Sequence, residues 1–264
     1  MMRIMCFIFF LLLIPTLSFG DEQESLQEKA NAAKEKLERE GTWLLEPHAT
    51  LTLLEENRVL NNKAIKALTQ RNHQQRGFLA YLDKKKQAYT ISAQSITGKR
   101  YLAHVYLEGY APFKTKNPLI PLYMISSRKT YQKDRKQYFG RNDVWQSSRQ
   151  AYLNPTGDCE DHAVLLADWL IEMKYDARVV IGDVRGNGHA WVIWLHKGKT
   201  YLLEATKKFK KSAPKRYPLA SLLPGYHPQY MFNRSDFWTN TGSKFTTNYT
   251  SQRWVKKSRY KKKW

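Results

Sequence analysis

Apolar and polar positions alternate with two different periods along this chain, and the change of period marks its middle. In CEDHAVLLADWLIEMK, residues Cys159, Ala163, Leu166 and Leu170 recur at helical spacing, which predicts a helix from Cys159 to about Lys174 with these residues on its inner face. The preceding Asn154-Pro155-Thr156-Gly157 reads as a turn, and Asp158 with Asp161 three residues on has the form of a capping box. Period two follows: ARVVIGDV, HAWVIWLH and TYLLEAT read as strands, separated by Arg185-Gly186-Asn187-Gly188 and by Lys197-Gly198. His189, Trp191 and Ile193 share one face of their strand, and Ala190, Val192 and Trp194 the other. A two-residue loop at Lys197-Gly198 pairs His196 with Lys199 and sets Glu204 opposite Trp191, a diagonal neighbour of His189 at roughly 7–8 Å. A three-residue loop would turn Glu204 to the opposite face.

The N-terminal half is less regular. DEQESLQEKANAAKEKLERE favours a solvated helix or arm, and the residues from about Asn57 to Lys86 read as helical, with Leu60, Ile65, Leu68 and Leu79 buried. YTISAQSIT and YLAHVYLEGY alternate as strands do. After Pro118 and Pro121 a basic helix is expected over about Leu122 to Lys136, and Asn142-Asp143 would cap another that carries Trp145 and Tyr152. The division that follows is a leader at 1–20, a helical arm at 21–56, one domain at 57–252 and a basic tail at 253–264. The tail, RWVKKSRYKKKW, reads either as a solvated end or as an attachment to an anionic polymer or membrane surface.

Composition narrows the setting. An apolar run from about Ile4 to Leu17 behind Arg3, ending in small residues, has the form of a cleaved secretory signal, and it is short for a membrane span. A periplasmic or secreted protein is therefore expected, with an uncleaved anchor as the alternative. Cys6 would leave with the leader, and Cys159 would remain as a single thiol, so no internal disulfide could form. The net charge of +21 favours anionic surfaces, while export and the lack of any zinc-finger or RNP-type pattern count against nucleic acid.

A lone exported thiol calls for a chemical account. Helix N-termini favour thiolate, but Asp158, Glu160 and Asp161 oppose it, so a usable thiolate needs a close imidazolium. His162 lies one turn along the same helix, and neighbours three apart seldom set an imidazole squarely on a sulfur, which leaves His189 as the stronger candidate. Cys159, His189 and Glu204 would then act as nucleophile, base and orienting group. A buried inert Cys, a strand-end His and an ordinary strand Glu form the plain alternative.

From Asn142 to Thr206 the chain resembles the core of the transglutaminase-like superfamily, in its bacterial cysteine peptidase type. The shared motifs are a Cys starting a helix after a Gly-containing turn, a His heading an H-A-W strand, and an acid ending the next strand. The resemblance implies an α+β, papain-like core with Cys159 at a helix N-terminus packed on an antiparallel sheet. It implies a thiol peptidase or amidase working through an acyl-enzyme on a protein or peptide, with Glu204 standing where the family more commonly has Asp. Trp145, Gln146 and Gln150 are the candidates beside the Cys159 N–H for the oxyanion. No cofactor is required, although some exported members are calcium-dependent and Asp158, Glu160 and Asp161 could supply oxygen ligands. A crosslinking transglutaminase and a non-catalytic envelope-binding protein remain alternatives.

Overall fold

The computed structural model describes residues 49–70, 79–82, 87–208 and 216–262. The leader and most of the arm expected before Thr50 lie outside them. In chain order, β1 (Thr50–Leu53) and β2 (Arg58–Asn61) form a hairpin leading into α1 (Asn62–Gln70), followed by β3 (Leu79–Leu82), β4 (Ala88–Ser95) and β5 (Arg100–Leu102). Short pieces come next: α2 (Ala103–Tyr106), α3 (Leu119–Arg128), β6 (Thr130–Tyr131), α4 (Asp134–Gln137), β7 (Val144–Trp145), α5 (Ser148–Leu153) and β8 (Thr156–Gly157). The long helix α6 (Cys159–Glu172) precedes β9 (Asp176–Val184), β10 (Asn187–His196), β11 (Lys199–Leu203), β12 (Tyr226–Phe232), β13 (Asp236–Asn240) and β14 (Trp254–Lys261).

Eight strands make one antiparallel sheet in the order β11-β10-β9-β12-β13-β14-β1-β2. This α+β architecture, a helix laid on a large antiparallel sheet, is the one expected. Ala163, Val164, Leu166 and Leu170 of α6 join Val179, Ala190, Val192, Phe232 and Phe237 in the main core. The other face of the same sheet is also covered, with Val180, Trp191, Ile193, Met231, Trp238 and Trp254 in a second cluster. Strands buried on both faces account for the continuous apolar runs of β9 and β10.

Helix α6 is buried around most of its circumference, Glu160, Asp161, His162 and Asp168 included. The single inner face expected from its spacing is therefore too narrow. Asp168 shows how a carboxylate survives there: it accepts from Gly109 N, Tyr110 N, Ser148 Oγ and Arg234 Nε, at 2.5–3.0 Å. These bonds tie α6 to α5 and to the β12–β13 turn, and they satisfy a group that burial alone would make costly.

Several expected elements are corrected. Residues 57–86 do not form one helix, since β2 and β3 flank α1, and Leu68 is only half-buried. The segment expected as a helix from Leu122 to Lys136 contains β6 and ends in the separate turn α4. Asp143 does not cap a helix, because Val144 and Trp145 extend as β7 along β4 and the helix begins later, with Ser147 and Gln150 in a capping box. YLAHVYLEGY turns from strand to helix after Leu102.

Both domain boundaries move outward as well. The arm assigned to 21–56 gives up β1, and within the basic tail assigned to 253–264 the residues Trp254–Lys261 are β14, hydrogen-bonded to β13 and β1 inside the sheet. Its charges are compensated where they stand: Lys257, 5% exposed, reaches Gln87 at 2.7 Å and Glu55 at 2.5 Å, and Lys256 reaches Asp236 at 2.8 Å.

Candidate active site

The first turn of α6 is fixed by a nest of polar contacts. Asp158 and Asp161 form the expected capping box, and Asp161 also accepts from Gln146 N at 2.7 Å and Gln146 Nε2 at 2.6 Å. Gly157 is required here, because an added Cβ would lie 2.6 Å from Asp161 Oδ2 and 2.9 Å from Asp161 Cβ. Below the turn the buried Lys129 ammonium donates to the carbonyls of Ala151, Asn154 and Thr156 at 2.6–3.1 Å. Burial lowers its pKa to about 8, against the pull of Asp161.

Cys159 opens the helix, half-buried, with Sγ 3.1 Å from Glu160 Oε2. The His189 ring reaches it from β10. Burial alone would discharge that ring, but the influence of the Cys159 sulfur and of Glu204 outweighs burial and raises it to about 10. His189 Nε2 lies 2.9 Å from Glu204 Oε2, so Nδ1 is the nitrogen left for the sulfur. Glu204 falls below the usual carboxylate range: burial pushes it up, and His189 and Thr206 more than reverse this.

Register delivers this contact. Lys197 and Gly198, with φ of 48° and 72°, make a two-residue turn with both residues left-handed; His196 pairs with Lys199 and Val192 with Leu203. Glu204, one step past β11, therefore comes beside Trp191 on the His189 side. Helix α6 packs on the opposite face, that of Ala190 and Val192. The thiol and imidazole accordingly both line a cleft of about 390 Å³ at the strand end, whose walls include Asp143, Trp145, Glu160, Gly182 and Asp183.

Of the oxyanion candidates only Trp145 lines this cleft. Gln146 is spoken for, since Nε2 donates to Asp161 and to Thr156 O, and Gln150 Oε1 accepts from Ser147 N inside the α5 capping box. His162 packs edge-on to Tyr131, and burial, reinforced by Lys129 and Lys208, lowers it to about 3, so it is neutral.

The acidic residues form a larger set than the sequence suggested. Asp134 of α4 brings a carboxylate to Asp158 and Asp161, and one oxygen each of Asp134, Asp158 and Glu160 is buried without a hydrogen-bond partner. Burial and mutual repulsion raise Asp134 to about 8, and burial raises Asp158, Glu160 and Asp161. Asp161 is occupied by Gln146 and the cap, so the open oxygens belong to the other three. Ligand atoms of Asp134, Asp158 and Asp161 lie within 4.8 Å of one another, the kind of clustering a hard cation with oxygen ligands uses.

Two residues that hold Glu204 were not found from sequence. Tyr226 Oη donates to Glu204 Oε2 at 2.8 Å, and Thr206 donates to Oε1 through N at 3.1 Å and Oγ1 at 2.7 Å. Thr206 had a signal, a hydroxyl two residues beyond an acid at a strand end. Tyr226 arrives from β12, whose position in the sheet carries no local mark.

A sulfur at a helix start, facing an imidazole held by a carboxylate, is the arrangement that thiol acyl transfer uses. Residues 143–262, somewhat under half of the chain, match the family described as the CEP76 peptidase-like domain, and all three residues lie within that span. No curated protein matches the chain. Among solved structures, Legionella pneumophila LapG is 21% identical, with 49% of this chain and 72% of LapG covered and a TM-score of 0.39. Calcium-bound LapG from the same organism is 17% identical, with 58% and 83% covered and a TM-score of 0.39.

Proposed function

We propose that the protein is an exported thiol-dependent amide-bond hydrolase acting on proteins or peptides. The observation that carries this reading is the 2.9 Å contact of His189 Nε2 with Glu204, which leaves the other ring nitrogen free in a cleft that Cys159 also lines. The proton between Cys159 Sγ and His189 Nδ1 rests on the imidazole, and the sulfur attacks the scissile carbonyl carbon. The oxyanion is met by the Cys159 N–H at the helix N-terminus, with Trp145 as the second candidate donor. Collapse breaks the C–N bond, and the imidazolium returns its proton to the leaving amine. Water, deprotonated by His189, then cleaves the thioester and restores the thiol.

Asp134, Asp158 and Asp161 are the residues that would hold a calcium ion beside the cleft, and a bound ion would supply counter-charge to carboxyls that burial and mutual repulsion raise. Hydrolysis is distinguished from crosslinking by the acceptor, water or an amine.

A thiol-directed probe and a peptide library test this together. Wild type is expected to be labelled at Cys159 at least about 100-fold faster than His189→Ala, to cleave peptides without incorporating added amine, and to lose activity on chelation in a way that calcium restores. Labelling that ignores His189→Ala, or cleavage that survives Cys159→Ala, would remove the mechanism. Activity unaffected by chelator would remove the ion alone.

A further inference from the structure

Beside the cleft, nine residues from Tyr131 to Phe139 expose two aromatic rings and three cations. Phe139 is 99% exposed and Tyr131 42%, and Lys133, Arg135 and Lys136 are all exposed, with no ion pair among the described residues. Phe139 has φ of 52° and Gly140 of 89°, so the chain turns sharply at the ring and lifts it off the surface. The protrusion stands on a firm base. Asp134 Oδ2 accepts from Val144 N at 2.6 Å, Tyr138 is buried, and Tyr131 lies edge-on to His162 of α6.

We propose that this segment docks the protein on an anionic lipid surface, with Phe139 entering the headgroup and acyl boundary while Lys133, Arg135 and Lys136 lie against lipid phosphates. A phenyl ring held in water carries a free-energy cost that burial in hydrocarbon removes, and cations set around it suit an environment that offers apolar depth beneath negative charge. A soluble polyanion would engage the cations and leave Phe139 wet. Asp143, four residues beyond Phe139, is in the cleft wall, so docking would hold the cleft close to the membrane plane. The inference stands whether or not Cys159 is a nucleophile.

An environment-sensitive fluorophore tests it on the full chain carrying Cys6→Ser and Cys159→Ala, with Phe139→Cys as the labelled site and Val59→Cys, 62% exposed on β2, as the control site. With phosphatidylglycerol vesicles the label at 139 is expected to shift blue and brighten several-fold, with the label at 59 unchanged. Reversing Lys133, Arg135 and Lys136 to Glu is expected to weaken the 139 response at least about tenfold, with the melting curve retained as a check on folding. The apolar leader is common to all variants and cannot produce a difference between sites. A label at 139 that stays water-exposed on these vesicles overturns the proposal. So does an equal response at 59, an equal response to phosphatidylcholine, or an equal response to dextran sulfate.

Discussion

The charge on His189 depends on the Cys159 sulfur and on one carboxylate, and that carboxylate is held from several directions. Glu204 has one methylene more than the Asp the resemblance led one to expect, and Tyr226 and Thr206 fix where the longer side chain ends. Because the folded pKa of His189 is raised to about 10, its pairing adds stability that is fully present below the unfolded value near 6.5 and is lost as pH rises through 10. Glu204→Gln should bring the ring's titration down by more than one pH unit, read from its NMR shifts, and should shrink the alkaline decline in melting temperature. An unchanged titration would mean that Glu204 does not set the charge. Cys159 and His189 were legible because a capping box and a strand alternation fix them locally. Asp134 and Tyr226 were not, since each arrives from an element tens of residues away with no periodic signature.

At the scale of elements, the start of α6 was readable because capping is a local transaction between Asp158, Asp161 and the backbone. The burial of its acids was not, for periodicity shows where apolar residues point and is silent about polar residues that find partners inside. Two-residue strands such as β6 and β8 exist only through each other, pairing Thr130 with Thr156 and Tyr131 with Gly157, and so leave no trace in a window of sequence. Gly157→Ala tests this junction. Its Cβ would press on Asp161, so unfolding should become easier by about 1–3 kcal/mol in a denaturant titration. A neutral result would show that the cap can yield without cost.

The whole molecule depends on the strand that looked least structural. A run of Lys and Arg in RWVKKSRYKKKW suggested a tail because no single charge announces its partner, yet Asp236 takes Lys256 and Arg259, and Glu55 takes Lys257. A chain ending at Arg253 is therefore expected to lose its cooperative melting transition by circular dichroism, β1 and β13 being left with open edges. Retention of a native-like transition would return the segment to the role of an appendage.

The neighbours β1 and β14 also impose an order on how the fold comes into being. The stretch from α6 to β11 is joined by short turns and can close early, whereas Thr50 must find Lys261 across almost the full described length. While the ribosome is still delivering β14, β1 and β13 each keep an open edge. Biogenesis of this protein thus contains an interval in which its first strand is made and the neighbour that closes it is not, and handling of the nascent chain has to span that interval.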